Sequence, residues 1–399
     1  MTQINEPQSK KSSCSYCGDA PVNHAFYFVD SVIAITLDVY TRKFIKHIPN
    51  VVKKFADMIP VFLFEILGFL KLVKFSSDIN KANTFRSKII WEEAQRRGIM
   101  MEQIIFCHKP LDHYRARLNG QKFYFASIPI KPEFLDTKKN WDDKVVLKEE
   151  LFKKNIPIPN YFDLPLFKST DKNIEKIFSK LSKPIIVKPR VGSRGRHTVT
   201  NINNLRQLYE GINIARKICS QLIIEEHLKG SVCRATLVNG VLAGFYRTDA
   251  PTVIGDGKKT IKELIEEKDN LRHKRIERIN VSKELRDHIF RSGFVLDDVL
   301  PDKFALSLTH RMGRLFGGTT KEMLDELHPS FIPIFQEATK IVGLSVVGFD
   351  AIIPNPTQSA DSQHWGIIEC NSLPFIDLHY FALEGKPKNI AGMIWDMWN

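Results

Sequence analysis

From Thr84 onward the apolar and polar positions fall into alternating helical and strand-like stretches. Apolar residues recur at helical spacing from Phe85 and stop at Gly98, which predicts an amphipathic helix. Met101–Cys107 predicts a strand, and Asn119-Gly120 between two short β-like runs predicts a hairpin turn. Asp142 is placed to cap a helix running to about Lys154, which Asn155-Ile-Pro-Ile-Pro159 then breaks. Pro184–Lys188 reads as a strand, Pro189–His197 as a glycine- and arginine-rich loop, and the chain from Asn203 as a helix. Strands are expected at Leu222–Glu225, Val232–Leu237 and Val241–Arg247, the last two joined by a turn at Asn239-Gly240. A turn at Gly255-Asp256-Gly257 precedes a helix at Lys259–Lys268 and a basic helical segment reaching about Ser292. Pro329–Val342 reads as a helix, followed by the apolar runs Gly348–Ile353 and Gly366–Asn371. This mixture predicts an α/β (α+β) fold.

Before Thr84 the pattern differs. Residues 1–13 are polar and read as disordered, and residues 14–80 read as a Phe-rich, mainly helical extension. The run Met58–Val73 is very apolar but short for a membrane span, and Pro60, Glu65 and Lys71 interrupt it. Lysines 53, 54, 71 and 74 flank it, as in a membrane-surface helix, so segment 53–74 is a candidate for such contact. A buried or partner-docked helix is the favoured reading.

The chain has 399 residues, room for two or three domains. Its net charge of +13, from 58 Lys+Arg against 45 Asp+Glu, favours anionic partners such as nucleotides and acidic peptides. The basic residues are spread along the chain and no RNA-binding signature or helix-turn-helix stands out, so no nucleic-acid partner is expected. The first twenty residues, which hold two of the six cysteines, are polar and do not read as a secretory signal, which fits a cytoplasmic protein with reduced thiols. Cys14-x-x-Cys17 with His24 nearby is part of a zinc pattern. A structural zinc takes four ligands and no second CxxC exists, so a reduced pair is favoured, with His108 or Cys107 able to complete a site only by folding back.

The closing strands carry the clearest chemistry. Side chains alternate along a strand, so Glu369 and Asn371 share a face, and Asp350 can join them from a neighbouring strand. Two carboxylates and an amide offer the oxygen ligands that suit Mg²⁺. Cys370, between two of them, points to the opposite face and reads as packing. Lys188 ends an apolar strand and is followed by Gly192-Ser193-Arg194-Gly195-Arg196, where glycines allow backbone N–H groups close to phosphate oxygens and the cations supply charge. The P-loop pattern GxxxxGK[ST] is absent. Lys144, at the start of its helix, would reach the same nucleotide from another element.

The order lysine, lysine with glycine loop, Glu-bearing strand, then Asp and Glu-x-Asn resembles the ATP-grasp superfamily. The resemblance extends to the ATP-grasp half of cyanophycin synthetase and to bacterial glutathione-forming ligases, over about residues 84–399. It rests on Asp143-Lys144, Ile186-Val187-Lys188-Pro189, Ile224-Glu225, Val238-Asn239-Gly240 and Gly255-Asp256-Gly257-Lys258-Lys259-Thr260-Ile261. Further pieces are Gly317-Gly318-Thr319, Asp325-Glu326-Leu327-His328-Pro329, Gly348-Phe349-Asp350, Glu369-Cys370-Asn371 and Glu384–Ala391. It implies an extension at 1–80, a pre-ATP-grasp domain at 81–140, and ATP-grasp subdomains at 141–224 and 225–399, the last with the metal site.

By the same resemblance, Lys144 and Lys188 would contact ATP phosphates, and Gly192, Ser193, Arg194, Gly195 and Arg196 would form a mobile lid over them. Glu225, Glu226, His227 and Leu228 would form the hinge strand that reads adenine through backbone groups. Asp350, Glu369 and Asn371 would hold two Mg²⁺ ions, with Mn²⁺ as a substitute, while Arg234, Arg247 and Arg311 would face the substrate carboxylate or the transferred phosphoryl group. The implied activity is ATP-dependent carboxylate–amine ligation through an acyl phosphate, on an amino-acid or peptide-like substrate, with the oligomeric state open. A glutathione-like dipeptide ligase, a protein-modifying ligase and a non-catalytic nucleotide-binding protein are the alternatives. Three departures stand out: Val232 where the family often has an acidic residue for the ribose, Gly313-Arg-Leu-Phe316 before the Gly-Gly pair, and Ser372-Leu-Pro-Phe375 after Asn371. The Mur-type half of cyanophycin synthetase is not expected in this chain, which ends at Asn399.

Overall fold

The computed structural model describes residues 14–18, 21–45, 66–69, 72–106, 108–131 and 139–398, with side chains left out at 34 and 36–45. Most of segment 53–74, with its expected buried or surface helix, lies outside the described residues.

A single 3₁₀ turn, Ser15–Cys17, leads to helix α1 (His24–Ile45). The first sheet is antiparallel, with β1 (Val73–Ser76), β2 (Met100–Phe106), β3 (Lys109–Leu118) and β4 (Gln121–Ala126) in sequential order. Helix α2 (Phe85–Arg96) connects β1 to β2; Thr84 caps it by accepting from Ser87 N–H, and Gly98 follows in the left-handed region. Strand β1 joins this sheet through pairs such as Val73↔Phe106, so residues 73–76 belong to the sheet rather than to the preceding extension.

Helix α3 (Lys144–Phe152) introduces the second sheet, built from β5 (Tyr161–Pro165), β6 (Ile185–Pro189), β7 (Val199–Ile202) and β8 (Gln221–Glu226) in the order β5-β8-β6-β7. The cap of α3 is Asp143, whose carboxylate accepts from Val145 and Val146 N–H; the sequence expectation had put Asp142 there. Asp143 wins this place because Arg190 also holds it, at 2.8 and 2.9 Å, whereas Asp142 accepts from Ser372. Helices α4 (Asp171–Lys180) and α5 (Leu205–Ala215) cover the second sheet through a core that includes Ile174, Ile177, Leu208 and Ile212.

Strands β9 (Ser231–Val238) and β10 (Val241–Thr248) form the hairpin read from the sequence, with Asn239 and Gly240 both at positive φ. Between β10 and the rest of the third sheet lies a small unit. It holds β11 (Thr252–Ile254), α6 (Ile261–Leu271), α7 (Lys283–Arg291) and β12 (Ala305–Ser307), with its own core around Ile261, Ile289 and Leu308. The basic segment preceding Ser292 is therefore helical only over α7. The chain then supplies β13 (Thr320–Glu322), α8 (Phe331–Val342), β14 (Val346–Ile353), β15 (Gly366–Asn371) and α9 (Ile390–Asp396). The third sheet runs β13-β10-β9-β14-β15, all antiparallel.

Alternation sets the two faces of this sheet. Cys233, Ala235, Leu237, Phe245, Phe349 and Ala351 pack against Phe331, Phe335 and Leu147 in one core. Cys370 lies in that core, on the face expected for it. The opposite face carries Arg234 and Asp350.

Candidate active site

Three adjacent strands bring charged residues into one row. Asp350 on β14 is in register with Arg234 on β9 and with Glu369 on β15, while Gly348 stands opposite Asn371. Arg234 donates to both Asp350 oxygens, Nε to Oδ1 at 2.7 Å and Nη2 to Oδ2 at 2.6 Å, a bidentate pair with Asp350 buried and Arg234 largely so. The Asn371 amide lies 3.4 Å from Asp350 Oδ2. Burial raises the Asp350 carboxyl to about 6 against the pull of Arg234, and the charge of Glu369 adds to the rise. Burial pushes Glu369 up as well, but Lys144, Asp350, Arg234 and Lys188 together hold it down at about 2. The two carboxylates thus share a site in which one stays fully ionised.

The second sheet contributes the lysines. Lys144 sits in the first turn of α3; its ammonium donates to the Gly192 carbonyl at 2.9 Å and lies 3.6 Å from Glu369 Oε2. One side chain therefore joins the glycine- and arginine-rich loop to the carboxylate row. Lys188, on β6, pairs with Glu225 Oε2 on β8 at 2.8 Å. Lys148, one turn after Lys144 and absent from the sequence expectation, lies fully buried 3.4 Å from Glu225 Oε1 and donates to the Ile367 carbonyl. Burial lowers Lys148 to about 8, and the two lysines together pull Glu225 below the ordinary carboxylate range despite its own burial. With its side chain so engaged, Glu225 offers a ligand only its backbone.

The loop between β6 and β7 is exposed from Gly192 through Gly195, with Gly192, Arg194 and Gly195 at positive φ. The backbone N–H of Arg196 turns back on the Ser193 carbonyl. Its far end is held from below, where Arg311 donates to the Arg194 carbonyl at 2.7 Å and His310 to the Gly195 carbonyl at 3.2 Å. In the hinge, Glu226 accepts from Asn160, Leu228 is buried, and His227 Nδ1 is a buried ring nitrogen without a hydrogen-bond partner. Burial lowers His227 to about 4, so its ring is neutral near pH 7. Gly230, at φ 139°, ends the hinge; a Cβ there would lie 2.5 Å from the Ile353 backbone.

Two of the three expected arginines stand apart from the row. Arg247 is in register with Cys233, which puts it on the opposite face of the third sheet, and it pairs with Asp249 at 3.0 Å. Arg311 is buried under the loop, paired with Glu284 through Nε and Nη2 at 2.8 and 3.1 Å. The Arg311 partner lies 27 residues away and is set by the tertiary fold, whereas Asp249, two residues after Arg247, is a local partner. Val232, two residues before Arg234, lies on the same face of the third sheet as the row.

The donor set fits a hard divalent cation. Asp350, Glu369 and Asn371 supply oxygens, and Arg234 occupies only two of about four lone-pair sites on Asp350. Glu369 also remains about a quarter exposed.

A bifunctional glutathione synthetase from Pasteurella multocida superposes on 80% of this chain and 44% of its own, with a TM-score of 0.50 and 20% identity. This is the ATP-grasp fold. Similar proteins are also found by sequence. Cyanophycin synthetase of Trichormus variabilis is 27% identical over 261 residues, 64% of this chain and 29% of its own length. The glutathione biosynthesis bifunctional protein GshAB of Listeria monocytogenes is 28% identical over 324 residues, 78% of this chain and 40% of its own. The chain thus spans well under half the length of these relatives. No protein-family model matches it. The ATP-grasp resemblance drawn from the motifs is borne out, down to the two groups of ligases it named.

Proposed function

We propose that the chain is an ATP-dependent carboxylate–amine ligase that forms an amide or peptide bond on an amino-acid or peptide-like substrate. The observation that carries this reading is the position of Lys144, within reach of both the Gly192 carbonyl and Glu369. Phosphates held there would lie between the glycine loop and the oxygen donors. In the reaction a substrate carboxylate oxygen attacks the γ-phosphorus of ATP, giving an acyl phosphate and releasing ADP. An amine then attacks the acyl carbon, the C–O bond to phosphate breaks, and the amine proton is lost to solvent as inorganic phosphate departs.

Lys144 and Lys188 would neutralise phosphate charge, the loop 192–196 would cover it with backbone N–H groups, and the backbone of 225–228 would face the base. Asp350, Glu369 and Asn371 would hold Mg²⁺, two ions in the fullest form, or Mn²⁺ in its place. When bound, the ions supply positive charge against the phosphoryl oxygens. Arg234 fixes the Asp350 carboxylate and adds charge to the row. Arg247 and Arg311 enter this reading only as positioning groups, given their pairs with Asp249 and Glu284. A cytoplasmic site of action completes it, supported by the buried reduced thiols of Cys219, Cys233 and Cys370. Among the described residues no helix is long and apolar enough to cross a membrane.

Titration with Mg-ATP tests the binding half. Lys144→Ala is expected to weaken binding by roughly tenfold or more, about 1.4 kcal/mol, with an unchanged melting transition. Equal affinity in the variant would remove Lys144 from the site.

A further inference from the structure

We propose that Cys14, Cys17, His24 and His197 form a structural zinc site that pins the N-terminal segment to the end of the glycine- and arginine-rich loop. Their ligand atoms all lie within 4.8 Å of one another. Cys17 Sγ is 3.2 Å from His24 Nε2 and 3.6 Å from His197 Nε2, and Cys14 Sγ is 3.7 Å from the same His197 atom. Zn–S bonds of 2.3 Å and Zn–N bonds near 2.0 Å place S and N about 3.6 Å apart across a tetrahedral site. The cluster is close to that size, and two thiolates with two imidazoles are a donor set that zinc takes.

A second observation is independent of these distances. His197 Nδ1 lies 2.7 Å from the Ile214 carbonyl. A carbonyl only accepts, so Nδ1 carries the proton and Nε2 presents its lone pair to the cluster, the orientation of a metal-ligating histidine. Backbone contacts brace the same corner: His197 N–H donates to the Tyr16 carbonyl at 3.0 Å, and Arg311 donates to that carbonyl at 2.9 Å. The Tyr16 hydroxyl donates to Asp287 on α7 at 2.6 Å. The fourth ligand thus comes from residue 197, while His108, one of the two residues open to complete the set from sequence, is exposed at the β2–β3 turn.

His197 directly follows the loop 192–196, so zinc would fix one end of that loop while Gly192–Gly195 stays exposed. The link to nucleotide handling rests on the proposed ligase reading, whereas zinc binding does not.

The test is zinc content of the full chain, purified from zinc-supplemented medium and desalted, by elemental mass spectrometry. About one zinc per chain is expected, with most of it lost in Cys17→Ser and in His24→Ala. Cobalt(II) added to the chain stripped of metal should give the intense visible bands and thiolate charge-transfer absorption of a tetrahedral S₂N₂ site. Wild-type zinc far below one per chain, full zinc in Cys17→Ser, or a weak octahedral cobalt spectrum would each overturn the site. Hydrogen exchange of residues 192–197 with and without chelator then tests the pinning: faster exchange without zinc supports it, and no change overturns it. None of these readings uses ATP, so they stand apart from any failure of the ligase assay.

Discussion

At the residue scale, two largely buried charge clusters line the site. Glu369→Gln is the cleaner test of the metal row, because Asp350→Asn would also leave Arg234 buried without its carboxylate. Turnover is expected to fall by roughly 10²–10³-fold or more in Glu369→Gln, with the fold intact by circular dichroism. The second cluster is Lys148–Glu225–Lys188. Removing Glu225 leaves two ammonium groups in a dry interior, so Glu225→Gln is expected to cost about 3–5 kcal/mol in chemical denaturation. Its pH signature has a definite sign. Glu225 titrates below its ordinary 4.5 in the fold, so its contribution is complete above pH 4.5 and is lost as pH falls through the lower folded value. Lys148 acts in the opposite range. Its folded value near 8 lies below the ordinary 10.5, so the unfolded chain binds more protons between those values and stability from this group rises with pH there. In Lys148→Met that rise should vanish from the stability curve between pH 8 and 10.5; an unaltered slope would mean that Lys148 is not buried as described. The carboxylate row was legible in the sequence because a strand's period of two fixes which residues share a face. Lys148 was not, since a lysine on a short helix reads as solvent-facing until the sheet beneath it is known.

At the element scale, local signals carried most of the boundaries. Asn119-Gly120 and Asn239-Gly240 both form the expected turns, with all four residues at positive φ. Helix α6 starts two residues into its expected span because Thr260 and Glu263 form a reciprocal capping box. Thr260→Ala is expected to lower stability by about 1 kcal/mol in urea denaturation. Longer-range joints were not legible. His379 Nδ1 donates to Glu322 Oε2 at 2.6 Å with both side chains fully buried, and Glu322 Oε1 accepts from the Phe245 and Leu324 N–H groups. Thr236 stands at the other ring nitrogen at 2.7 Å. This network ties β9, β10 and β13 to the turn around His379. Glu322→Ala should destabilise the chain by about 3–5 kcal/mol, and a loss under 1 kcal/mol in denaturant titration would show that the network carries little.

At the scale of the whole molecule, the C-terminus closes onto the first sheet. Trp395 on α9 is buried against α2 and donates to the Ile90 carbonyl at 3.0 Å, while Trp398 stacks on Phe123 with ring centroids 3.7 Å apart. The first and third sheets thus share one core, while the second sheet packs its own with α4 and α5, and Trp395→Ala is expected to cost about 3–5 kcal/mol. The order of lysines, glycine loop and oxygen donors made the fold legible, because each piece has a fixed place relative to its strand. The meeting of Cys14 and Cys17 with His197 depends on a return of the N-terminal segment across 180 residues, which no local pattern encodes. Incubating the full chain with Mg-ATP and pools of amino acids and dipeptides, with ADP resolved from AMP, tests whether it ligates a carboxylate to an amine. ADP released only when a particular carboxylate and amine are both present is the predicted result. AMP and pyrophosphate in place of ADP and phosphate would contradict it.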